Sequence, residues 1–303
     1  MRWCFVVNPM AGGGKAKSEW PWLEAQLIAQ GVCFCVEMTE YRKHAIEICR
    51  DLALNGERQF VAVGGDGSVN EVLQGILESG IALEEFTLSV LPWGSGNDWA
   101  RFHQVPTKAK AWLTFFANAQ RVHHDVGMAK YGPDWSQSHA FINIAGMGLD
   151  TMVLEEMGQA AGLSLRYYLT MLSCLYRYQA VRFNLQCDEK SVETPALMLM
   201  SCIGRYGGAG MDFAPLASAS NGAFNVLCIN DMPFLQRLAG LRYLLNGRIN
   251  QHPQVDHFTS PSLTITSDRP WHFECDGELI APLPVKLTTH SQAIYVLSNR
   301  RQF

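Results

Sequence analysis

Phe60-Val61-Ala62-Val63-Gly64-Gly65-Asp66-Gly67-Ser68-Val69-Asn70-Glu71-Val72 is the stretch on which the fold turns. A short apolar run ends in two glycines, and an acid, a third glycine and a hydroxyl follow. Val69, Val72, Leu73, Ile76 and Leu77 then fall at helical spacing. The pattern is strand, glycine turn, helix. Such a junction aims backbone N–H groups at one point and suits an anion, usually a phosphate. A carboxylate is a poor neighbour for phosphate unless a cation lies between them. Asp66 among the glycines therefore points to a nucleotide phosphate chain with Mg²⁺. The plainer reading is a tight turn that happens to contain an acid.

Outward from this stretch, residues 1 to about 125 alternate strand-like and helix-like segments. The expected strands are Arg2–Val7, Val32–Met38, Phe60–Val63 and Phe86–Leu91. Helices are expected from a Ser18 cap to Gly31, then over Arg42–Asn55, Gly67–Ser79 and Thr107–Ala119. This rhythm implies a doubly wound, mostly parallel α/β sheet, whose binding loops lie at the carboxyl ends of the strands. Three glycine-rich loops, 9–15, 64–67 and 92–98, all follow strands.

After about residue 126 strand-like runs dominate: Ala140–Ala145, Val181–Cys187, Ala196–Ile203, Ala223–Asn230, Ser262–Thr266, Trp271–Cys275, Val285–Thr288 and Ala293–Leu297. Two helices interrupt them, Leu163–Tyr178 and Phe234–Leu245. The expectation is a second, mainly antiparallel β-sandwich domain over 126–292. Asp125-Val126-Gly127 reads as a turn at the domain boundary.

The 303 residues suffice for two ordinary domains with real cores, and the formal charge of −4 gives no reason to expect nucleic acid. No segment has the unbroken apolar length of a transmembrane helix, and the N-terminal apolar run is too short for a signal peptide. Nine cysteines without a C-x-x-C pair, several of them in apolar runs (Cys4, Cys33, Cys35, Cys202, Cys228), read as reduced core thiols of a cytosolic protein.

Three further constellations carry chemistry. Asn8-Pro9-Met10-Ala11-Gly12-Gly13-Gly14-Lys15 lacks Walker spacing and is either a flexible turn or a phosphate contact. Leu91-Pro92-Trp93-Gly94-Ser95-Gly96-Asn97-Asp98-Trp99-Ala100-Arg101 opens a short helix. Ser95 or Asn97 is an ordinary N-cap there, or the loop meets the head of a small polar substrate. Phe273-Glu274-Cys275-Asp276-Gly277-Glu278 is a hairpin turn by its Asp-Gly pair. Phosphoryl transfer to a hydroxyl also needs a carboxylate near the acceptor oxygen, and Asp276 is a candidate. Asp150, after Gly146-Met147-Gly148-Leu149, is a helix cap or a substrate contact. The histidines show no zinc spacing, and there is no G-x-S-x-G elbow.

Taken in order, these motifs resemble the diacylglycerol kinase catalytic family, which includes bacterial lipid kinases, sphingosine kinases and ceramide kinases. The resemblance spans nearly the whole chain. N-P-x-A-G matches Asn8 to Gly12, and G-G-D-G-[ST]-x-x-E-V matches Gly64 to Val72. P-x-G-[ST]-G-N-D-x-A-R matches Pro92 to Arg101. D-V-G, G-x-G-x-D and D-G-E match at Asp125, Gly146 and Asp276. The resemblance implies ATP held by Asn8, Gly12, Thr39, Gly64, Gly65, Gly67, Ser68, Gly94 and Ser95, with Arg166 as a phosphate ligand. It implies Asp66 positioning Mg²⁺, Asp276 as general base on a lipid hydroxyl and Glu278 near the nucleotide or metal. The two aspartates remain interchangeable as the base. Asn97, Asp98 and Asp150 fall to the substrate.

The resemblance also implies a C-terminal segment, 293–303, returning to the first domain, and work at a membrane surface from the cytoplasmic side. It leaves a homodimer open. One departure stands out. Many bacterial members carry D-G-x-L-D where this chain has Asn221-Gly222-Ala223-Phe224-Asn225. Amide oxygens are weaker ligands for a hard dication, so a second, structural metal site should be weak or absent. An NAD kinase, and a nucleotide-binding lipid sensor without turnover, are the rival readings.

Overall fold

A computed structural model describes residues 2–158, 165–187 and 190–300, with no side-chain detail at 165–168 and 190. The chain forms two compact units, one of residues 2–124 with 292–300 and the other within 125–291.

The first unit alternates β1 (Trp3–Val7), α1 (Ala11–Ala29), β2 (Phe34–Met38), α2 (His44–Leu54), β3 (Gln59–Gly64), α3 (Asp66–Glu78), β4 (Thr87–Pro92), α4 (Asp98–Phe102) and α5 (Ala109–Asn118). Its strands pair in parallel: β1 lies between β2 and β3, and β4 adds to β3. The run Phe60–Val63 is fully buried, as a central parallel strand covered on both faces must be. Phe5 packs edge-on against Trp112 and tilted against Trp20, tying the strand to α5 and α1.

Ser18 does not cap α1. Gly12, Gly13 and Gly14 take φ of 62°, 68° and 93°, and regular helix begins after them. The Ser18 hydroxyl instead donates back to the Lys15 carbonyl inside the first regular turn. Three successive left-handed residues are tolerable only because none carries a Cβ.

The second unit contains β5 (Gln120–Tyr131, which starts in the first unit), β6 (Gln137–Phe141), β7 (Ile144–Gly148), α6 (Leu149–Met157), α7 (Leu165–Arg177), β8 (Val181–Cys187), β9 (Lys190–Cys202), β10 (Tyr206–Gly207) and β11 (Met211–Asp212). There follow β12 (Phe224–Asn230), α8 (Phe234–Leu245), β13 (Val255–Ser260), β14 (Ser262–Ser267), β15 (His272–Cys275), β16 (Glu278–Pro282) and β17 (Val285–Ser298, whose residues from Gln292 on belong to the first unit). Among the described residues the strands from β5 to β16 pair antiparallel, with β9 bridging β7, β8 and β12, in a β-sandwich.

Four sequence expectations need correction here. Asp125-Val126-Gly127 is not a turn but lies inside β5, with all three residues buried. Ala140–Ala145 is two strands, β6 and β7, broken at Ile142 and Asn143. Val285–Thr288 and Ala293–Leu297 are one continuous strand. The first half of β17 pairs with β14, and Tyr295 and Val296 pair in parallel with Thr87 and Leu88 of β4 in the first unit. Asn299 then donates its N–H to the His103 carbonyl, so the C-terminal segment is part of that unit. Finally, Cys33 is exposed and Cys35 half-buried, so they are not core thiols; the other seven are buried and all nine are free.

Candidate functional site

The first unit brings its three glycine-rich loops together at the carboxyl ends of β1, β3 and β4. They meet backbone against backbone. A Cβ on Gly94 would lie 2.3 Å from the Gly65 Cα, and one on Gly12 would lie 2.5 Å from the Trp93 carbonyl oxygen. Side chains at those positions would push the loops apart, which is the local reason for glycine there. Asn8 turns the first loop by accepting the Met10 N–H on its side-chain oxygen at 3.0 Å. Gly64 leaves room for the Ser68 hydroxyl, 2.1 Å from where a Cβ would be.

Asp66 fastens the second loop to the third. Its carboxylate oxygens accept the N–H groups of Asp98 and Trp99, both at 3.0 Å. Burial holds the Asp66 carboxyl above the usual range, and the N–H bonds from Asp98 and Trp99 offset this in part. Asn97 takes φ of 56° and donates to the Gly94 carbonyl at 2.7 Å, which closes the third loop. Asp98 is buried, with Arg101 3.6 Å away across one helical turn, while Ser95 is exposed. A Cβ on Gly96 would be 3.0 Å from one Asp66 oxygen and 3.8 Å from one Asp98 oxygen, so two carboxylates approach the same bare stretch of backbone. Clustered hard oxygen donors of this kind fit Mg²⁺.

Beside these loops is a cavity of about 360 Å³ lined by Asn8, Thr39 and Ser68 together with Tyr41, Arg42 and Glu71. Its size suits a small molecule. The first three were singled out from the sequence and the last three were not. Tyr41 stacks on His44 with centroids 4.3 Å apart and donates its hydroxyl to Glu47 at 2.9 Å. Glu71 accepts the Lys43 N–H at 3.2 Å, one turn of α3 beyond Ser68. Their signal was available: 40–42 directly follow a strand end, and Glu71 repeats the Ser68 face at i+3.

In the second unit, Asp276 and Gly277 form the turn between β15 and β16, with φ of 51° and 83°. Both residues are left-handed, as a two-residue hairpin turn demands. The Asp276 carboxylate accepts three backbone N–H groups, those of Ile142, Asn143 and Ile144, at 2.9 to 3.0 Å. It thereby holds the break between β6 and β7. Glu278 opens β16.

Sequence reasoning missed Glu274. It is buried, and its carboxylate accepts the Gly277 N–H at 2.6 Å. Asp150, in the first turn of α6, meets it over Gly146. A Cβ there would lie 2.1 Å from an Asp150 oxygen and 2.6 Å from a Glu274 oxygen. Neither Asp150 oxygen has a partner in hydrogen-bond geometry. Burial pushes the Asp150 carboxyl up to about 7, with the N–H groups of Thr151 and Asp150 offsetting only part of it. Burial, then the Asp150 charge, raise Glu274 well above the carboxylate range.

Unfolded carboxyls titrate near ~4, so the native state keeps protons that the unfolded chain releases. This contribution to stability is complete below about pH 4 and is lost as pH rises through about 7. Thermal melts in metal-free buffer should show it. Asp150→Asn is expected to melt increasingly above the parent between pH 5 and pH 8, with about 1–3 kcal/mol gained at pH 8. A pH-independent difference would remove the pair from the account.

Of the remaining candidates, the Asn221 side-chain oxygen accepts the Ala223 N–H at 3.2 Å, and the Asn225 amide nitrogen is buried without a partner. The Gly222 N–H between them donates to Asp125 at 2.7 Å. The Arg166 side chain lies outside the described residues.

The diacylglycerol kinase catalytic domain matches residues 2–129, and the YegS C-terminal NAD kinase β-sandwich-like domain matches residues 143–298. YtlR of Bacillus subtilis (strain 168), provisionally named a lipid kinase, is 26% identical over 309 residues, covering 95% of this chain and 96% of its own. A diacylglycerol kinase of Staphylococcus saprophyticus is 24% identical over 302 residues, covering 97% of this chain and 94% of its own. A crystal structure from Bacillus anthracis str. Sterne, provisionally named a diacylglycerol kinase, superimposes with a TM-score of 0.80 at 20% identity. It covers 98% of this chain and 97% of the other. With both halves matched in order, and relatives aligned from end to end, the chain belongs to the diacylglycerol kinase catalytic family and is a lipid kinase.

Proposed function

We propose that the protein transfers the γ-phosphoryl group of ATP to a hydroxyl of diacylglycerol or a similar lipid. The observation that carries this reading is the fusion of three glycine loops beside a cavity lined by Asn8, Thr39 and Ser68. Backbone N–H groups at the start of α3 and around Gly12–Gly14 face the phosphates, and the cavity takes the nucleoside. Asp66 positions Mg²⁺, which when bound neutralises charge on the phosphates. Asp276 takes the proton of the lipid hydroxyl, and Glu278 supports the nucleotide end. Asn97, Asp98 and Asp150 contact the lipid headgroup.

The lipid-facing surface lies on α7, where Leu169, Leu172 and Tyr176 recur along the helix at 58%, 40% and 71% exposure. Leu163 lies outside the described residues, as do the side chains of Leu165 and Tyr168. Among the described residues no helix is long and apolar enough to cross a membrane. We place the protein in the cytoplasm, working peripherally on a membrane.

The test is a screen with radiolabelled ATP and Mg²⁺ against a total lipid extract and, in a parallel reaction, against NAD, followed by mass spectrometry of the labelled product. A labelled glycerolipid or related alcohol is expected. Label on NAD and on no lipid would establish an NAD kinase instead. Nucleotide binding with no acceptor labelled would make the protein a sensor.

A further inference from the structure

Cys4 on β1 and Cys35 on β2 are direct partners in the parallel register. Their sulfurs are 2.8 Å apart. Adjacent strands run about 4.7–4.9 Å apart, inside the Cα separation of about 4.4–6.8 Å that a disulfide spans. The two thiols differ in setting. Cys4 is fully buried, and burial, then the hydrogen bond with Cys35, push its thiol well up. Cys35 is half-buried, and the Arg2 guanidinium lies within hydrogen-bonding reach of its sulfur. The half-buried sulfur is the one that peroxide in solvent reaches, and the cation beside it offsets the negative charge that passes to the departing oxygen. Glu57 completes the cluster, paired with Arg2 at 3.3 Å and with its carboxylate within 4.8 Å of both sulfurs.

We infer that Cys4 and Cys35 form an oxidant-sensitive pair, in which peroxide converts Cys35 to a sulfenic acid and Cys4 then closes a disulfide. The Cys35 thiolate attacks one peroxide oxygen and the O–O bond breaks. The departing hydroxide takes a proton and leaves as water. The Cys4 sulfur next attacks the sulfenic sulfur, the S–O bond breaks, and the Cys4 proton leaves with the hydroxyl as a second water. Two thiols are oxidised by two electrons and one peroxide is reduced.

The same three ligand atoms resemble a soft-metal site, but the Arg2 charge lies against the sulfur and the carboxylate and opposes a dication. Oxidation has a defined place in the fold. Asn8 and Thr39 each lie four residues beyond a cysteine of the pair, and the Thr39 N–H donates to the Val7 carbonyl at 2.9 Å. The bridge therefore fixes the register of the two strands whose ends carry Asn8 and Thr39.

The experiment treats the reduced full chain with hydrogen peroxide, caps the remaining thiols and maps the peptides. The expected product has lost two hydrogens in intact mass and joins the Cys4 peptide to the one containing Cys33 and Cys35. Cys33→Ser should leave the link intact and Cys35→Ser should abolish it. Arg2→Gln, a change at an exposed side chain, should slow closure about tenfold. Four results would overturn the inference: a link through Cys33, sulfinic acid at Cys35 with no link, closure at an unchanged rate in Arg2→Gln, or a reduced protein that carries stoichiometric zinc shielding both thiols.

Discussion

Asp66→Asn is expected to lower kcat by about 10²–10³-fold or more, the usual scale for losing one preorganised charge at a phosphoryl-transfer site. The fold should survive. In the native protein two N–H groups, from Asp98 and Trp99, end on the two carboxylate oxygens. An amide accepts one of them and turns its own NH₂ toward the other. The cost is one lost bond and one donor facing a donor, about 1–3 kcal/mol. Turnover, thermal denaturation and nucleotide affinity measured together separate the two effects. A variant that melts a few degrees lower yet turns over at the parental rate would end the assignment of Asp66 to Mg²⁺. Asp66→Ala removes both acceptors and should be the less stable of the two, with no more activity.

The first unit was legible because its grammar is local. An apolar run, a glycine turn and a helical repeat lie within a dozen residues around Asp66, and each can be read without its partners. Where local reading failed there, the cause was also local: Ser18 resembles an N-cap, but the left-handed glycines at 12–14 had already let the helix begin. Ala16, Trp20, Leu23 and Leu27, all buried at helical spacing, carried the true start.

The second unit was harder because its decisive contacts are distant in sequence. Asp and Gly dominate turns, so Asp125-Val126-Gly127 reads as one. In the structure Asp125 accepts the Gly222 N–H from 97 residues away. Gly127 is glycine because the Phe141 ring covers it, 2.3 Å from where a Cβ would be. Neither fact leaves a trace in the local sequence. Glu274 was missed for the same reason: it meets Asp150 across the fold, and only the tertiary structure shows two acids sharing one buried face of Gly146.

Asp276→Ala is expected to destabilise the protein by about 3 kcal/mol or more, because three backbone N–H groups at the β6–β7 break lose their acceptor together. At about 2–4 °C per kcal/mol for a protein of this size, the melt should fall by roughly 6–12 °C. Asp276→Asn is the more informative change. Its oxygen can keep the Asn143 and Ile144 bonds, while its NH₂ faces the Ile142 N–H, so about 1–3 kcal/mol is lost. An amide cannot take a proton from a hydroxyl. If Asp276 is the general base as well as the anchor, Asp276→Asn should lose about 10²–10⁴-fold in kcat at a temperature where it is fully folded. If it is the anchor alone, kcat should stay near the parental value once folding is accounted for. The base would then have to be Asp66, whose carboxyl burial already holds above the usual range, closer to the pKa that proton abstraction near neutrality favours.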